Sequence, residues 1–508
     1  MRGTFPDGWI RAELGEAVDV LDFEREPINT TERNERIQGK GRGNLFAYYG
    51  ATGQVGWIDQ FRTDGQRVLL GEDGAPFLDP NKNKAYLASG RYWVNNHAHV
   101  LRGAGGAGGA INNKFLCHQL NTVDFQPFVS GSTRLKLTSA AMKRIPLVVA
   151  PHSEQIRIVE KLEELLSDLD AGGAELKAAQ KKLAQYRQSL LKAAVEGRLT
   201  AAWRAQHGEP EESGAQLLAR ILRERRARWE AKQLAKLEAQ GKAPIKGWQS
   251  KYPEPMPPET AELESLPSGW ERATIDQLAE VGTGVTPLRS NALYFQSGTI
   301  PWVTSGALNN EFVSAAKEHV TELAVKECRL QLYPSGSLLV AMYGEGKTRG
   351  KCAELLLPAT INQAIAALVL QPEASACKDY VKTFLLKSYE LMREQASGGV
   401  QPNLNLQILK SIALPLPPLA EQSEIAAAIT ESFAQLQQQS DAVQRSLRQS
   451  AAQRKNILQA AFSGQLVPQD PNDEPASVLL ARIRAERASR EKVQPKKRKP
   501  NGAVKEMA

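Results

Sequence analysis

Pro151-His-Ser-Glu154-Gln155 and, 267 residues later, Pro418-Leu-Ala-Glu421-Gln422 open two stretches that the chain carries in duplicate. The first closes on Gly197-Arg-Leu199 and the second on Gly464-Gln-Leu466, at the same offset. From Ile145 to Leu199 the two copies share 15 identities in 55 positions, with no gap. A repeat of this length marks a tandem duplication of a whole unit. It continues upstream, where Pro6-Asp-Gly-Trp9 matches Pro267-Ser-Gly-Trp270 and Asn96-His-Ala98 matches Asn362-Gln-Ala364.

Inside the first stretch Leu162, Leu169, Leu176, Leu183 and Leu190 recur every seven residues, and the second copy offers Ile429, Leu436, Val443 and Ile457 in the same register. Such a heptad seam needs a partner helix. A helix from Glu154 to about Glu196 would run roughly 60 Å. Gly172-Gly173 would weaken its middle by about 1 kcal/mol per glycine. The natural partner is the other copy, laid antiparallel in a closed, pseudo-symmetric arrangement. The alternative packs each helix on its own globular half.

Ahead of each helix lies a mixed region. Gln66–Leu70, Val94–Leu101, Ser337–Val340 and Ala364–Leu370 read as strands between Gly, Asn and Asp turns. The expected fold class is therefore α+β: two mixed α/β domains separated by a pair of long antiparallel coiled-coil helices, an internal pseudo-two-fold repeat. The expected boundaries are 1–152 for the first domain and 153–199 for its helix. A basic helical arm and Pro-rich linker follow at 200–265. The second domain takes 266–418 and its helix 419–466, before a C-terminal helix at 467–490 and a basic disordered tail at 491–508. The arm's helix, Ala219 to Gly241, carries Arg220, Arg223, Arg225, Arg226, Arg228, Lys232 and Lys236, and the tail contains Gln494-Pro-Lys-Lys-Arg-Lys-Pro500. Both read as solvated charge or as phosphate contacts.

Net charge is +8 and the pI about 9.1, compatible with a polyanion but not specific for one. No apolar run reaches membrane-span length and no secretory signal opens the chain, so a cytoplasmic protein without a membrane partner is expected. Cys117, Cys328, Cys352 and Cys377 lie far apart, which suits a reducing compartment and argues against zinc.

The motifs that could carry catalysis fail on context. Ala341-Met-Tyr-Gly-Glu-Gly346-Lys347-Thr348 fits a relaxed phosphate loop, but a second strand rather than a helix is expected after it. Lys347, Arg349 and Lys351 then read as a basic hairpin tip. Val281-Gly-Thr-Gly284 reads as a loop, and neither Pro257-Pro258 nor Pro417-Pro418 is followed by the aromatic that an adenine-modifying site uses to grip a flipped base. His97 and His99 alternate on an expected strand without acidic or sulfur companions, more as a packed pair than as metal ligands. Gly103-Ala-Gly-Gly-Ala-Gly-Gly109 reads as a flexible loop. No catalytic residue and no metal site are expected.

Taken together, the order of Pro-x-Gly-Trp, two unlike domains, Pro-x-x-Glu-Gln and a terminal Gly-x-Leu resembles the specificity subunit of type I restriction–modification systems. Tyr48-Tyr-Gly-Ala-Thr-Gly-Gln-Val-Gly-Trp57 and Asn95-Asn-His-Ala-His-Val100 look like one flavour of its target-recognition domain. Ile300-Pro-Trp-Val303, Met342 to Lys351 and Thr360-Ile-Asn-Gln-Ala364 look like another. The resemblance covers about residues 6–490; the basic arm at 219–265 departs from it.

The resemblance implies a non-catalytic DNA sequence-specificity subunit. Each domain would read one half of a bipartite, asymmetric site in double-stranded DNA, and the helix pair would set the spacing. Two methylation subunits and motor–nuclease subunits would be its partners. S-adenosylmethionine, ATP and magnesium would belong to them, with no cofactor bound by this chain. Candidate DNA contacts are Lys40 and Arg42 in a Gly-rich loop, Tyr48 and Tyr49 flanking a turn, and Thr304 and Ser305 after a strand. Lys347, Arg349 and Lys351 complete the set. Competing readings are a self-contained methyltransferase or nuclease, and a coiled-coil scaffold with no DNA role.

Overall fold

The computed structural model describes residues 6–106, 109–259, 265–343, 348–389, 392 and 404–493. It divides into two compact units that cut across the sequence halves. Ala178–Val443 forms one; the residues up to Lys177 and from Gln444 onward form the other. Each unit holds one globular domain, the adjoining half of one long helix and the far half of the other.

In the first unit, Ile10–Glu13 pairs antiparallel with Pro146–Val149, tying the start of the domain to the strand that leads into the helix. A four-stranded sheet runs in the order Val18–Val20, Ala98–Gly103, Arg67–Gly71, Ala85–Ala88, and a second in the order Gly53–Ile58, Phe46–Gly50, Arg91–Val94, Thr63–Asp64. The central strands are buried on both faces, so they read as unbroken apolar runs. Val68 and Leu70 join Leu14, Phe125 and Leu147 on one side, while Leu69 joins Tyr92, Val94 and Val100 on the other.

The second unit repeats the plan. Glu271–Thr274 pairs with Ala413–Leu416. Its larger sheet runs Ala279–Thr283, Ile365–Leu370, Leu338–Ala341, Cys352–Leu355, Phe312–Val313. A three-stranded sheet follows the order Glu318–Val320, Ile300–Val303, Thr360–Ile361. Leu338 and Val340 face one cluster, Leu339 and Ala341 the other.

The two long helices are His152–Val195 and Leu419–Phe462. Both are continuous, the first unbroken through Gly172-Gly173, and they pair antiparallel. In the first unit Leu162, Leu166 and Leu169, near the start of one helix, share a cluster with Ile457 and Ala461, near the end of the other. In the second unit Leu183, Leu190 and Ala194 share theirs with Ile425, Ile429 and Leu436. The Arg187 guanidinium lies 3.8 Å from the centre of the Phe433 ring across this seam. Leu176 and Val443 are half-buried. The helices also lean on the domains, since Trp9 and Phe115 belong to the first of these clusters.

The repeated motifs meet at one joint in each unit. Pro6-Asp-Gly-Trp9 and Pro267-Ser-Gly-Trp270 are turns, closed by Trp9 N–H to Pro6 O at 3.2 Å and Trp270 N–H to Pro267 O at 3.1 Å. Gly8 and Gly269 take φ of 83° and 80°, a conformation that favours glycine. Each indole reaches the glutamate at the start of its own domain's helix: Trp9 Nε1 donates to Glu154 Oε2 at 2.9 Å, Trp270 Nε1 to Glu421 Oε2 at 2.7 Å. The glutamine beside it caps the entering strand, Gln155 Nε2 to Ala150 O and Gln422 Nε2 to Pro417 O. Against the same turns rest the ends of the opposite helices. A β-carbon on Gly464 would lie 2.2 Å from Pro6, and one on Gly197 would lie 2.7 Å from Pro267. The Pro-x-Gly-Trp, Pro-x-x-Glu-Gln and Gly-x-Leu signatures are thus three walls of one joint.

A shorter helix docks on each turn. Ala476–Val493 starts with Ala476 N–H on Gly8 O and buries Leu479, Leu480 and Ile483 in the first domain. Gly214–Ala239 starts with Gly214 N–H on Gly269 O and buries Leu217, Leu218 and Ile221 in the second. The arm helix therefore begins five residues before the expected Ala219, because Ser213 and Gln216 form a capping box there.

Several local expectations are corrected. Val94–Leu101 is not one strand: Arg91–Val94 and Ala98–Gly103 belong to different sheets, separated by a turn in which Asn95 Oδ1 accepts the His97 N–H at 2.8 Å. Tyr48 and Tyr49 lie within the strand Phe46–Gly50 rather than flanking a turn. Val281-Gly-Thr283 is the end of a strand, not a loop, and a β-carbon on Gly284 would sit 1.7 Å from Ile361 O. In the glycine run, Gly105–Gly106 pairs with Gly109–Ala110 as a short hairpin.

Candidate nucleic-acid interface

In the first domain, the helix Thr30–Ile37 is capped by Asn29, whose Oδ1 accepts the Glu32 N–H at 2.8 Å. It lays Arg33 and Arg36 one turn apart against the hairpin Phe46–Ile58. The Arg33 guanidinium stands 4.9 Å from the Tyr48 ring centre and that of Arg36 5.2 Å from Trp93. Arg62 approaches Trp93 from 5.5 Å, and Arg42 lies 5.9 Å from Trp57. Cations over aromatic faces are held at modest energy, about 0.5–1 kcal/mol each when exposed. Arg36 also donates to Asp59 and Gln60 and Arg62 to Glu26, whereas Arg33 and Arg42 have no ion-pair or hydrogen-bond partner among the described residues.

Lys40 is exposed and its Nζ donates to Asp59 Oδ2 at 2.8 Å, while Arg36 bridges the other oxygen of the same carboxylate at 2.7 Å. Burial would raise the Asp59 pKa, but the Lys40 and Arg36 bonds outweigh it and hold it below the ordinary carboxylate value. Tyr48 is interior: only 2% exposed, it clusters with Ile58 and Trp93 and its hydroxyl donates to Ile28 O at 3.3 Å. Tyr49 is half-buried between Tyr86 and Tyr92, at 5.8 and 5.4 Å between ring centres. Arg33, Arg36 and Arg62 escaped the sequence reading. The one available signal was the three-residue spacing of Arg33 and Arg36 on a helix face.

In the second domain, Thr304 and Ser305 follow the strand Ile300–Val303 and begin the turn Ser305–Asn309; both are half-buried. Lys351 reaches the same turn, its Nζ donating to Asn309 Oδ1 at 2.8 Å. Arg349, half-buried, has an Nε with no hydrogen-bond partner among the described residues. Lys347 lies outside the described residues. The strands Leu338–Ala341 and Cys352–Leu355 pair antiparallel around this segment, so the residues that mimic a phosphate loop lead into a strand. Gln363 Oε1 accepts a hydrogen bond from the Thr286 hydroxyl nearby.

The histidines do have acidic companions, contrary to the sequence reading, because the fold supplies them from distant positions. His99, 1% exposed, joins Asp22 Oδ2 at 2.8 Å and Leu137 O at 3.0 Å, and His97 in the turn meets Asp73 Oδ1 at 2.5 Å. These bonds staple loops to the sheet. Among the described residues no group of three or more His, Cys, Asp or Glu is placed to hold a metal. Among them, too, no helix is long and apolar enough to cross a membrane.

The basic helix of the arm is not a free solvated face on its inner side. Arg225 donates to Asp276 O, Arg228 meets Gln371 and Glu373, and Arg220 pairs with Glu212 at 2.7 Å. The Pro-rich segment lies along the domain as well, with Met256 N–H on Asp276 Oδ2 at 3.0 Å. The tail from Gln494 to Pro500 lies outside the described residues.

The architecture is a duplicated α+β recognition fold joined through two long paired helices. The model of the type I restriction modification DNA specificity domain matches residues 24–179 and 267–443, more than half of the chain, and the chain belongs to that family. It is 34% identical over 152 residues to a putative type I restriction enzyme specificity subunit of Haemophilus influenzae, and 27% over 190 residues to the MjaIX specificity subunit of Methanocaldococcus jannaschii. Those matches take in 30% and 36% of the chain and span only 36% and 41% of the relatives' lengths. Against the EcoDI specificity subunit of Escherichia coli it is 23% identical across 96% of the chain and 97% of the relative. A chain from a solved structure of type I restriction–modification complex assembly shares the fold. Its TM-score is 0.59 at 16% identity, over 91% of this chain and all of that one.

Proposed function

We propose that this chain is the DNA sequence-specificity subunit of a type I restriction–modification complex. Each domain reads one part of a split site, and because the two domains differ in sequence the site is asymmetric. Lys40, Arg42, Tyr49, Thr304, Ser305, Lys347, Arg349 and Lys351 make the DNA contacts, with Tyr48 acting from inside as the platform beneath Arg33. Side chains of this kind supply phosphate anchoring from Lys and base-edge reading from Arg.

The paired helices set the distance between the two parts and offer the surface on which two methylation subunits dock. Methyl transfer from S-adenosylmethionine, and ATP- and magnesium-dependent cleavage by motor–nuclease subunits, take place in those partners in the cytoplasm. The single observation carrying this reading is that two unlike domains of one recognition family are joined through long helices packed end against start at both joints.

Mapping methylated adenines in a host genome with and without this chain tests it. A two-part asymmetric motif should vanish when the chain is deleted. Isolated chain that binds S-adenosylmethionine and methylates DNA alone would favour the self-contained enzyme instead.

A further inference from the structure

The segment Gly214 to Pro258 lies outside both stretches matched by the family model, and recognition by either domain does not explain it. Its helix is anchored at the start by Leu217, Leu218 and Ile221 and along one side by Arg225 and Arg228. Beyond these anchors the helix continues to Ala239. The chain then reverses at Gly241, φ 63°, with Lys242 N–H returning to Leu237 O at 2.9 Å. The returning segment is fastened to the helix by aromatic residues. Trp248 stacks on Trp229 at 5.9 Å between ring centres, Tyr252 meets the same indole edge-on at 5.4 Å, and Arg226 covers Tyr252 at 5.4 Å.

What this built arm presents is unneutralised positive charge. Arg223, Lys232, Lys236, Lys242, Lys246 and Lys251 are exposed and have no ion-pair or hydrogen-bond partner among the described residues. From Arg223 to Lys251 the acidic residues are Glu224, Glu230 and Glu238, and Glu230 is already taken by Arg226. The division of labour is chemical: the arginines of the arm hold the domain or their neighbours, while five of the six free cations are lysines. Arginine's planar fork suits carboxylates fixed in a protein surface. Phosphate is bound by both, bidentately by arginine and as a point charge by lysine, so the free lysines can neutralise a polyanion without a fixed geometry. Leu234 and Ile245 are the large apolar side chains that the arm exposes, too few for the aromatic-rich centre that anchors a protein partner.

We propose that this arm is a second, sequence-independent DNA contact that grips the phosphate backbone. It rests on the reading of the chain as a DNA-specificity subunit and extends the footprint of the second domain. Because the aromatic stitching already orders the segment, little conformational entropy is lost on binding.

The test uses the full chain with the subunits it purifies with, and a duplex of random sequence titrated over a range of salt. The exposed substitutions Lys232→Gln, Lys236→Gln, Lys242→Gln and Lys246→Gln are combined. The slope of log affinity against log salt should fall by about 0.9 for each phosphate no longer neutralised, and affinity at low salt by about tenfold or more. The four Lys→Arg changes should restore both. An unchanged slope in the Gln variant overturns the proposal, as does a loss that Arg fails to rescue. Unchanged DNA binding with loss of a co-purifying subunit would make the arm a protein dock and overturn it as well. If the parent complex shows no salt-dependent affinity for DNA at all, the specificity-subunit reading fails first, and the arm's role with it.

Discussion

Trp270 and Trp9 make the same bond in the two units, each donating its indole N–H to a buried glutamate, but the glutamates differ in what else they hold. Glu421 also accepts the Thr200 hydroxyl at 2.7 Å and the Arg204 guanidinium at 2.7 and 3.0 Å. Glu154 accepts only the indole: its Oε1 is buried without a partner among the described residues, and burial raises its pKa above the ordinary value despite the Trp9 bond. Around the glutamate one joint is satisfied and the other half-satisfied; for the neighbouring glutamines the order reverses, since Gln155 Oε1 accepts the Asn112 N–H at 2.9 Å while Gln422 Oε1 is buried without a partner among the described residues.

Opposite responses to the same substitution follow. Glu421→Gln leaves Arg204 without its counter-charge and should cost about 2–3 kcal/mol. Glu154→Gln removes a buried charge that has one donor and should stay within about 1 kcal/mol of the parent. The carboxyl of Glu154 is raised in the folded state, so its protonated form favours folding at low pH and that contribution fades as pH rises through the folded pKa. Urea unfolding midpoints at neutral pH distinguish the pair; equal losses would contradict the asymmetry.

Glu354 is expected to set part of the acid limit. Burial alone would raise its pKa, but Lys378 at 2.6 Å and Lys382 at 3.0 Å outweigh it and hold the carboxyl below its ordinary value. A depressed carboxylate stabilises above its unfolded pKa, and the contribution is lost as pH falls through the folded one. Glu354→Gln should therefore lower stability at neutral pH by about 2–3 kcal/mol and flatten the decline below about pH 4.5. Unfolding midpoints measured from neutral to acid pH check both effects.

Leucines that share one heptad position should not weigh equally. Leu162 is fully buried against Ile457 and Ala461, so Leu162→Ala should cost about 3 kcal/mol. Leu176 is half-buried, and its replacement by Ala should cost about 1 kcal/mol or less. Thermal or urea denaturation of the two variants, run side by side, reads the difference directly.

The sequence made the duplication, the long helices and their antiparallel partnership legible because each rests on a rule the chain states locally. A heptad seam needs a partner, and a gapless repeat of this length marks a duplicated unit. Long-range partners were not legible. Arg228 looked like solvated charge, yet it meets Glu373, 145 residues away in sequence. Tyr48 looked like a ligand contact because it was read as flanking a turn, yet the Arg33 guanidinium covers a ring that sits in the core. The run Val281 to Gly284 looked like a loop because close approach of a neighbouring strand, not backbone freedom, is what Gly284 provides. Charge state, burial and close approach depend on which segments the fold brings together, and period and composition carry no record of that.

Removing one heptad from each long helix, Ala171–Lys177 together with Gln438–Gln444, shortens both by roughly 10 Å while keeping the apolar seams in phase. At about 3.4 Å per base pair, mapping of methylated adenines in cells carrying this variant should find the same bases with a gap shorter by about three base pairs. A motif whose gap is unchanged would contradict the role given to the helix pair.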